Sequence, residues 1–179
     1  MLKKEEIICA GFGGQGILLL GKFLAFCAMT ENKFNTWMPS YGAEVRGGTA
    51  YSMTIISDEP IPSPVVNSAD AAIIMNAPSF RKFKGRLKQG GLLVVNSSLV
   101  KAIPAMAKIK VIKFPFTDIA LSLGNVKVAN MVAAGAYIKK TKLISIKTAL
   151  KAIEEFVKDK KLVVLNKLAI LKGASLIKG

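Results

Sequence analysis

The stretch Gly11-Phe12-Gly13-Gly14-Gln15-Gly16 decides the fold of this chain. The four residues before it, Ile-Ile-Cys-Ala at positions 7–10, are apolar and long enough for one buried strand. Residues 17 to about 29, which follow it, carry apolar side chains at helical spacing. The glycines therefore lie where a strand turns into a helix, and the free N–H groups at the start of that helix favour an anion.

The same stretch has the spacing of a dinucleotide-binding turn, G-x-G-x-x-G, at Gly11, Gly13 and Gly16. That fingerprint also needs an acid at the end of the second strand, where it would hold the ribose. We predict the second strand at residues 33–38, and the next acid downstream is Glu44. A tight turn that packs against a neighbour is therefore the better interpretation, and a stand-alone nucleotide-binding protein is the alternative.

Composition indicates one α/β domain. The chain has 179 residues, of which 51% are apolar and only 7% aromatic, as suits a mainly parallel sheet covered by helices. No signal peptide is evident, and the apolar residues 17–29 are interrupted by Lys22 and too short to span a bilayer. We expect a cytoplasmic protein that has no membrane partner.

The net charge of +15 has three interpretations: a nucleic-acid-binding surface, a dock for an acidic protein, or a solvated face. Three of the 26 basic residues are arginines (Arg46, Arg81 and Arg86), and the lysines are not interleaved with aromatic residues. Nucleic-acid recognition usually relies on arginine and on stacking aromatics. We therefore favour complementarity to another subunit, or a solvated face, over a basic nucleic-acid-binding protein.

Strands and helices alternate along the chain, which predicts a Rossmann-like, three-layer α/β fold with helices on both faces of the sheet. After the second strand we predict strands at 49–57, 71–76, 92–95 and 108–114, and helices at 79–88, 117–123, 128–140, within 141–157 and at 162–177. Candidate helix caps are Asn76 or Ser79, Thr117, and Ser145.

A second glycine-rich stretch spans residues 40–48 and includes Tyr41, Glu44, Arg46, Gly47 and Gly48. The first two strands end at the same edge of a doubly wound sheet, so this loop is expected beside the first glycine turn. The other interpretation is a surface turn with a Glu44–Arg46 ion pair.

Residues for demanding chemistry are missing from the sequence. It has no histidine, no phosphate-binding G-x-x-x-x-G-K-[ST] motif, and no paired carboxylates other than sequential pairs that favour solvent. Cys9 and Cys27 are isolated in apolar surroundings, which predicts buried free thiols rather than cluster or zinc ligands. We assign no catalytic residue and no metal ligand, and expect the isolated chain to be inactive.

Taken together, residues 11–16 and 39–49 resemble the gamma subunits of 2-oxoacid:ferredoxin oxidoreductases. Residues 55–61 and 76–78 also match, and the resemblance covers nearly the whole chain, so residues 1–179 are expected to form a single gamma-type domain. The variants at Tyr41 and Thr49 are most similar to the 2-oxoglutarate and branched-chain 2-oxoacid types.

The resemblance implies a reaction in which a 2-oxoacid, coenzyme A and oxidised ferredoxin give an acyl-CoA, carbon dioxide and reduced ferredoxin. It implies alpha, beta and ferredoxin-like partner subunits, with thiamine diphosphate, magnesium and iron–sulfur clusters on those subunits and no cofactor bound by this chain alone. It also places the two glycine loops at an interface or near a ligand. The residues so assigned are Gly11, Gly13, Gly14, Gln15, Gly16, Tyr41, Glu44, Arg46, Gly47 and Gly48.

Overall fold

A computed structural model describes residues 4–40 and 49–178 of the chain. The strands in these ranges are β1 (Lys4–Phe12), β2 (Phe34–Ser40), β3 (Thr49–Ser57), β4 (Ala69–Ile74), β5 (Leu87–Asn96) and β6 (Lys110–Phe114). The helices are α1 (Ile17–Thr30), α2 (Ala77–Phe83), α3 (Phe116–Ser122), α4 (Ala129–Thr141), α5 (Ile146–Phe156) and α6 (Lys160–Ser175).

All six strands of the described residues form one sheet in the order β2-β3-β1-β4-β5-β6. The β1–β4, β4–β5 and β5–β6 pairs are parallel, whereas β3 runs antiparallel to both of its neighbours, β1 and β2. The predicted α/β class with a mainly parallel sheet is confirmed. The antiparallel β3 between β1 and β2 is a feature that periodicity along the chain does not reveal.

The first strand–turn–helix unit is where the sequence predicts it. β1 lies in the middle of the sheet, and its residues Ile7 to Ala10 are completely buried. Helix α1 packs across β3, where Thr54 Oγ1 donates to the carbonyl of Gly21. A Cβ at Gly21 would lie 2.2 Å from Ser52 Oγ, so glycine lets the helix approach the strand closely.

Helix α4 lies at the centre of the helical layer on one face of the sheet. Every residue from Ala129 to Ile138 is buried, as expected for a helix that is apolar on all sides. Helix α6 covers α4 from outside, and the two backbones touch at Gly135 and Gly173. A Cβ at Gly173 would lie 1.9 Å from the carbonyl oxygen of Val132, which fixes the position of α6.

The opposite face of the sheet has a second, smaller core. It contains Met53 and Ile55 of β3, together with Phe80 and Phe83 of α2. Helix α2 is shorter than predicted, because a single 3₁₀ turn at Lys84–Arg86 replaces its last part. Asn76 is its cap, accepting a hydrogen bond from the Ser79 N–H at 2.8 Å.

Two other helix starts test the predicted caps. Ser145 caps α5 by accepting from the Thr148 N–H at 2.9 Å, as predicted. The prediction for Thr117 is wrong: α3 begins at Phe116, after Pro115, without a side-chain cap. Thr117 instead uses its hydroxyl and its N–H to contact Asn96, so a tertiary contact has replaced the local one.

Cys9 and Cys27 are both buried free thiols, as predicted. Burial raises the pKa of each thiol to about 12, so both are protonated at neutral pH.

No helix in the described ranges combines the length and hydrophobicity that a membrane span requires.

Candidate functional site

The turn between β1 and α1 is closed by Gln15. The Gln15 N–H donates to the carbonyl of Phe12 at 3.2 Å, and the Gln15 Oε1 accepts from the Phe12 N–H at 2.7 Å. Gly16 follows as the N-cap of α1 with φ of 66°, a left-handed conformation that favours glycine. The glutamine therefore holds the turn together from within.

The four glycines of this turn differ in what surrounds them. A Cβ at Gly11 would lie 2.6 Å from Gln15 Oε1, and one at Gly16 would lie 2.4 Å from Asn130 Nδ2. At Gly13 and Gly14, by contrast, no described atom lies within 4 Å of an added Cβ. Gly11 and Gly16 are thus required by packing inside this chain, while Gly13 and Gly14 are exposed and open.

Asn130 anchors the turn from the far end of the sequence. It is the second residue of α4, and its Nδ2 donates to the carbonyl of Gly16 at 3.1 Å. Its Oδ1 accepts from the Met131 N–H at 2.8 Å. Sequence reasoning missed Asn130 because an isolated asparagine at the start of a helix is usually a cap, and nothing local indicates that it reaches another element.

A cleft of about 170 Å³ lies beside this turn, at the carboxyl edge of the parallel strands. Gly14 and Gln15 form one wall, Met75 and Leu99 line it after β4 and β5, and Thr117, Val126, Lys127 and Ala129 complete it. The chain leaves β1 toward one side of the sheet and β4 toward the other, so the cleft is at the topological switch point. This is where open α/β sheets bind ligands.

Asn96, a second residue that the sequence analysis missed, connects the strand ends around the cleft. It is fully buried at the end of β5. Its Nδ2 donates to Thr117 Oγ1 at 2.8 Å and to the carbonyl of Met75 at 3.3 Å, and its Oδ1 accepts from the Thr117 N–H at 3.3 Å. Asn96 therefore fixes the positions of two residues that line the cleft.

The surroundings of the cleft combine positive potential with exposed apolar side chains. Helix α1 begins without a capping side chain and without an acid in its first turn, and Lys127 supplies a cation among the residues that line the cleft. Leu99 and Val126 on the cleft walls are 41% and 46% exposed. An exposed apolar rim of this kind is typical of a surface that another molecule covers.

The second glycine loop lies outside the described residues. This covers the predicted site residues Tyr41, Glu44, Arg46, Gly47 and Gly48, and with them the proposed Glu44–Arg46 pair. Its two anchors are described: Ser40 ends β2 opposite Tyr51, and Thr49 begins β3 opposite Phe12. Both anchors are thus at the same edge of the sheet as the first glycine turn.

A larger cavity of about 350 Å³ lies at the opposite, amino edge of the strands, where Glu5, Asp70, Lys88 and Lys140 are among its lining residues. Its charges are largely satisfied within the chain. Lys88 Nζ contacts Asp70 and Glu6, each at 2.8 Å, and Tyr137 donates to Glu5 at 3.1 Å. This charge network joins the first residues of β1, β4 and β5 to one another. Because these charges serve the sheet itself, the cavity is not the candidate functional site.

The same network shifts two pKa values. Burial alone would raise the pKa of Glu6, but hydrogen bonds from Lys88 and Lys4 outweigh it, and the pKa is lowered. For Lys88, burial alone would lower the pKa, but its bonds to Asp70 and Glu6 raise it.

Within residues 4–40 and 49–178, no group of three or more acids and cysteines is placed to hold a metal ion.

Known proteins resemble this chain over most of its length. The family model for pyruvate ferredoxin/flavodoxin oxidoreductase matches residues 6–176. The 2-oxoglutarate synthase subunit KorC of Methanocaldococcus jannaschii is 38% identical over 154 residues, which are 84% of this chain and 82% of that protein. The ketoisovalerate oxidoreductase subunit VorA of Methanothermobacter marburgensis is 35% identical over 133 residues, and the match spans 74% of this chain but only 28% of VorA.

Solved structures show the same fold. The gamma subunit of a keto/oxoacid ferredoxin oxidoreductase from Geobacter sulfurreducens superposes with a TM-score of 0.84 at 34% identity, covering 96% of both chains. The 2-oxoglutarate:ferredoxin oxidoreductase from Magnetococcus marinus, with 2-oxoglutarate, coenzyme A and succinyl-CoA bound, has a TM-score of 0.86 at 24% identity. That match covers 97% of this chain and 31% of the larger one, and at this identity it shows a shared fold.

Proposed function

This chain belongs to the pyruvate ferredoxin/flavodoxin oxidoreductase family as a gamma subunit of a 2-oxoacid:ferredoxin oxidoreductase, and we propose that its complex is of the 2-oxoglutarate type. In such a complex 2-oxoglutarate, coenzyme A and oxidised ferredoxin give succinyl-CoA, carbon dioxide and reduced ferredoxin. The KorC relative, which matches over most of both chains, supports this substrate. The VorA relative makes a branched-chain 2-oxoacid the second candidate.

We further propose that the carboxyl edge of the sheet is the side of this subunit that faces the rest of the enzyme. The observation that carries this proposal is the openness of Gly13 and Gly14, where an added Cβ meets no described atom. Gly14 has φ of 91°, which favours glycine by itself, but Gly13 has neither a left-handed backbone nor a close described neighbour, so close approach of an outside surface explains it. The exposed Leu99 and Val126, which line the same cleft as Gly14, add an apolar contact area.

Coenzyme A is the ligand that we place nearest to this edge. Its phosphates are anions, and they suit the uncapped start of α1 and the ammonium group of Lys127. Thiamine diphosphate, magnesium and the iron–sulfur clusters are proposed on the alpha, beta and ferredoxin-like subunits. The described residues of this chain offer no metal-binding cluster for them.

The experiment is purification of the affinity-tagged chain from its native source, followed by identification of the co-purifying subunits, iron and thiamine diphosphate. The complex is then assayed for coenzyme A-dependent ferredoxin reduction with 2-oxoglutarate, 2-oxoisovalerate and pyruvate. We expect the highest kcat/KM with 2-oxoglutarate, and no turnover by the isolated chain. Preference for 2-oxoisovalerate would refute the substrate assignment, while a tagged chain that brings no thiamine enzyme would refute the subunit role.

Experiments on the isolated chain test the two alternatives that the sequence left open. Equilibrium dialysis of the isolated chain with NAD, FAD and ATP reports a stand-alone nucleotide site, and we expect no binding. A gel shift with DNA and RNA over a salt series reports nucleic-acid binding, whose affinity would fall steeply with salt. We expect no shift at physiological salt.

A further inference from the structure

Helix α6 carries an apolar stripe on the side that faces away from the protein. Val164, Leu168 and Leu171 are 60%, 50% and 46% exposed. Their spacing of i, i+4 and i+7 places them in one row along the helix. Val164 also lies on the wall of a groove of about 550 Å³ between the end of α5 and the start of α6, so the apolar stripe continues into a depression.

The helix cannot rotate to bury this stripe against its own chain. Its other side, which includes Ala169, Ile170 and Gly173, is buried against α4. At Gly173 the two helix backbones are already in contact, because a Cβ there would be 1.9 Å from the carbonyl of Val132. The stripe is therefore a fixed surface that only another molecule can cover.

Lysines border the stripe on both sides. At about 100° per residue, Lys160 and Lys167 fall on one border and Lys161 and Lys172 on the other. Lys167 is paired with Glu154 of α5, whereas the other three have no ion-pair partner among the described residues. The groove beside the stripe also carries the exposed Glu154 and Glu155, but lysines outnumber these acids, so two copies of this surface in contact would bring an excess of like charge together, which opposes self-association.

We propose that the stripe of α6 docks an acidic, apolar-centred face of another subunit of the same oxidoreductase, at a site separate from the glycine turn; this rests on the subunit role proposed above. The 26 basic and 11 acidic residues of the chain leave an excess of 15 positive charges, which an acidic neighbour would balance. A membrane surface fits less well. The stripe has three aliphatic side chains and no tryptophan or phenylalanine, which usually mark helices that lie in the lipid interface.

A photo-crosslinking residue at Leu168 in the co-purified complex tests the proposal. The matched control is the same residue at Val65, which is 49% exposed and adjoins Val66 of the core on the opposite face of the sheet. We expect the Leu168 position, and not the Val65 position, to crosslink to a peptide of another subunit. A crosslink between two copies of this chain, or none while the chain stays in the complex, would overturn the proposal.

A charge reversal gives a second readout. Lys161→Glu with Lys172→Glu should make the complex dissociate at a salt concentration at least twofold lower than for the wild type. The control, Lys84→Glu with Lys108→Glu, changes two exposed lysines that adjoin core residues on the other face of the sheet and should leave that concentration unchanged. Equal dissociation of both variants would contradict the proposal. The proposal would also be contradicted if the chain bound phosphatidylglycerol vesicles and the Leu168→Glu variant lost that binding.

Iron and thiamine diphosphate are measured in the same preparation before irradiation. If the crosslinked partner is a subunit of a complex that lacks both, the proposed function fails while the docking surface is retained. If the complex contains both and Leu168 makes no crosslink, the docking surface fails while the proposed function stands.

Discussion

Asn130 and Gly16 are 114 positions apart in the sequence, and the Asn130 amide donates to the Gly16 carbonyl at 3.1 Å. The contact joins α4 to the glycine turn, and the Asn130 amide also fills the space that a Cβ at Gly16 would occupy. The Gly16 carbonyl also accepts from Leu20 within α1. One residue thus ends the turn, starts α1 and receives the anchor from α4.

The first prediction concerns this contact. Gly16→Ala should lower the free energy of unfolding by about 1–3 kcal/mol, because alanine is strained at φ of 66° and its Cβ would collide with Asn130. Asn130→Ala should cost about 1 kcal/mol through the lost hydrogen bond. Urea unfolding of both single variants and the double variant measures the coupling.

The two effects should not add, since the smaller residue at position 130 makes room for the new Cβ. We expect a double variant that is about 1 kcal/mol more stable than the sum of the single variants predicts. Strict additivity would show that the two residues are independent and that the turn is anchored in another way.

The second prediction compares two glycines in the same conformation. Gly14 has φ of 91° and Gly90 has φ of 83°, and neither has a described atom within 4 Å of an added Cβ. Gly14→Val and Gly90→Val should therefore lose similar stability, about 1–3 kcal/mol each. A domain of this size has roughly 5–15 kcal/mol in total, so both should fold.

The variants should differ in the complex. Gly90 is at the amino edge of the sheet, away from the proposed interface, so only Gly14→Val should impair assembly or 2-oxoacid oxidation. Thermal melting of the isolated chains and activity of the complexes supply the two measurements. Equal losses of activity in both would mean that strain, and not an outside contact, explains Gly14.

How far the sequence predicts this structure depends on whether the signal is local. The buried run at β1, the glycine turn and the Asn76 and Ser145 caps all follow from neighbouring residues, and all are confirmed. The antiparallel position of β3 has no local signal, because alternation of side chains is the same in either strand direction.

The candidate site shows the same division. The glycine turn was predicted from its spacing, but its inner and outer glycines become distinguishable only when Asn130 and Ile17 are seen beside them. Asn96 escaped notice because its partner Thr117 lies on another element, and Lys127 because most residues that line the cleft with it are distant in the sequence. The interface role of the glycine residues remains a prediction.

The third prediction concerns the two thiols. Burial raises the pKa of Cys9 and of Cys27 from 9.0 to about 12, so native protein should resist alkylation by iodoacetamide at pH 8. Both should react once the protein is unfolded in guanidinium. Intact-mass spectrometry counts the labels, and rapid double labelling of native protein would contradict the buried assignment.

The raised pKa values also predict alkaline sensitivity. Burial keeps each thiol protonated in the folded state. The contribution of this protonation to the free energy of unfolding is fully present below the unfolded pKa of about 9, and it is lost as the pH rises toward 12. The melting temperature should therefore fall over that interval, and Cys27→Ser should reduce the fall. An unchanged slope in this variant would show that other groups are responsible.

The fourth prediction uses the charge network at the amino edge of the sheet. The pKa of Glu6 is lowered in the folded state, so its contribution is present above the unfolded value of about 4.5 and is lost as the pH falls below it. Lys88→Met removes its main partner. Because Lys88 is 40% exposed, we expect a loss of about 1 kcal/mol or less, or roughly 2–4 °C at pH 7.

The difference in melting temperature between Lys88→Met and the wild type should shrink as the pH falls below about 4.5, because protonation of Glu6 removes the charge that Lys88 contacts. Lys151→Met is the control, as it changes an exposed lysine that has no ion-pair partner among the described residues. A Lys88→Met deficit that is constant from pH 7 to pH 3 would mean that the lysine acts through packing rather than charge.

The most direct test of the account is the activity of the assembled enzyme carrying Gly13→Val, compared with one carrying Gly85→Val. Both glycines are exposed, have φ outside the left-handed region and have no described atom within 4 Å of an added Cβ, so both isolated variants should melt like the wild type. We predict that Gly13→Val lowers coenzyme A-dependent ferredoxin reduction at least tenfold or leaves the subunit out of the complex, whereas Gly85→Val is fully active. A Gly13→Val subunit that assembles normally and supports full activity would contradict the claim that the glycine turn faces the rest of the enzyme.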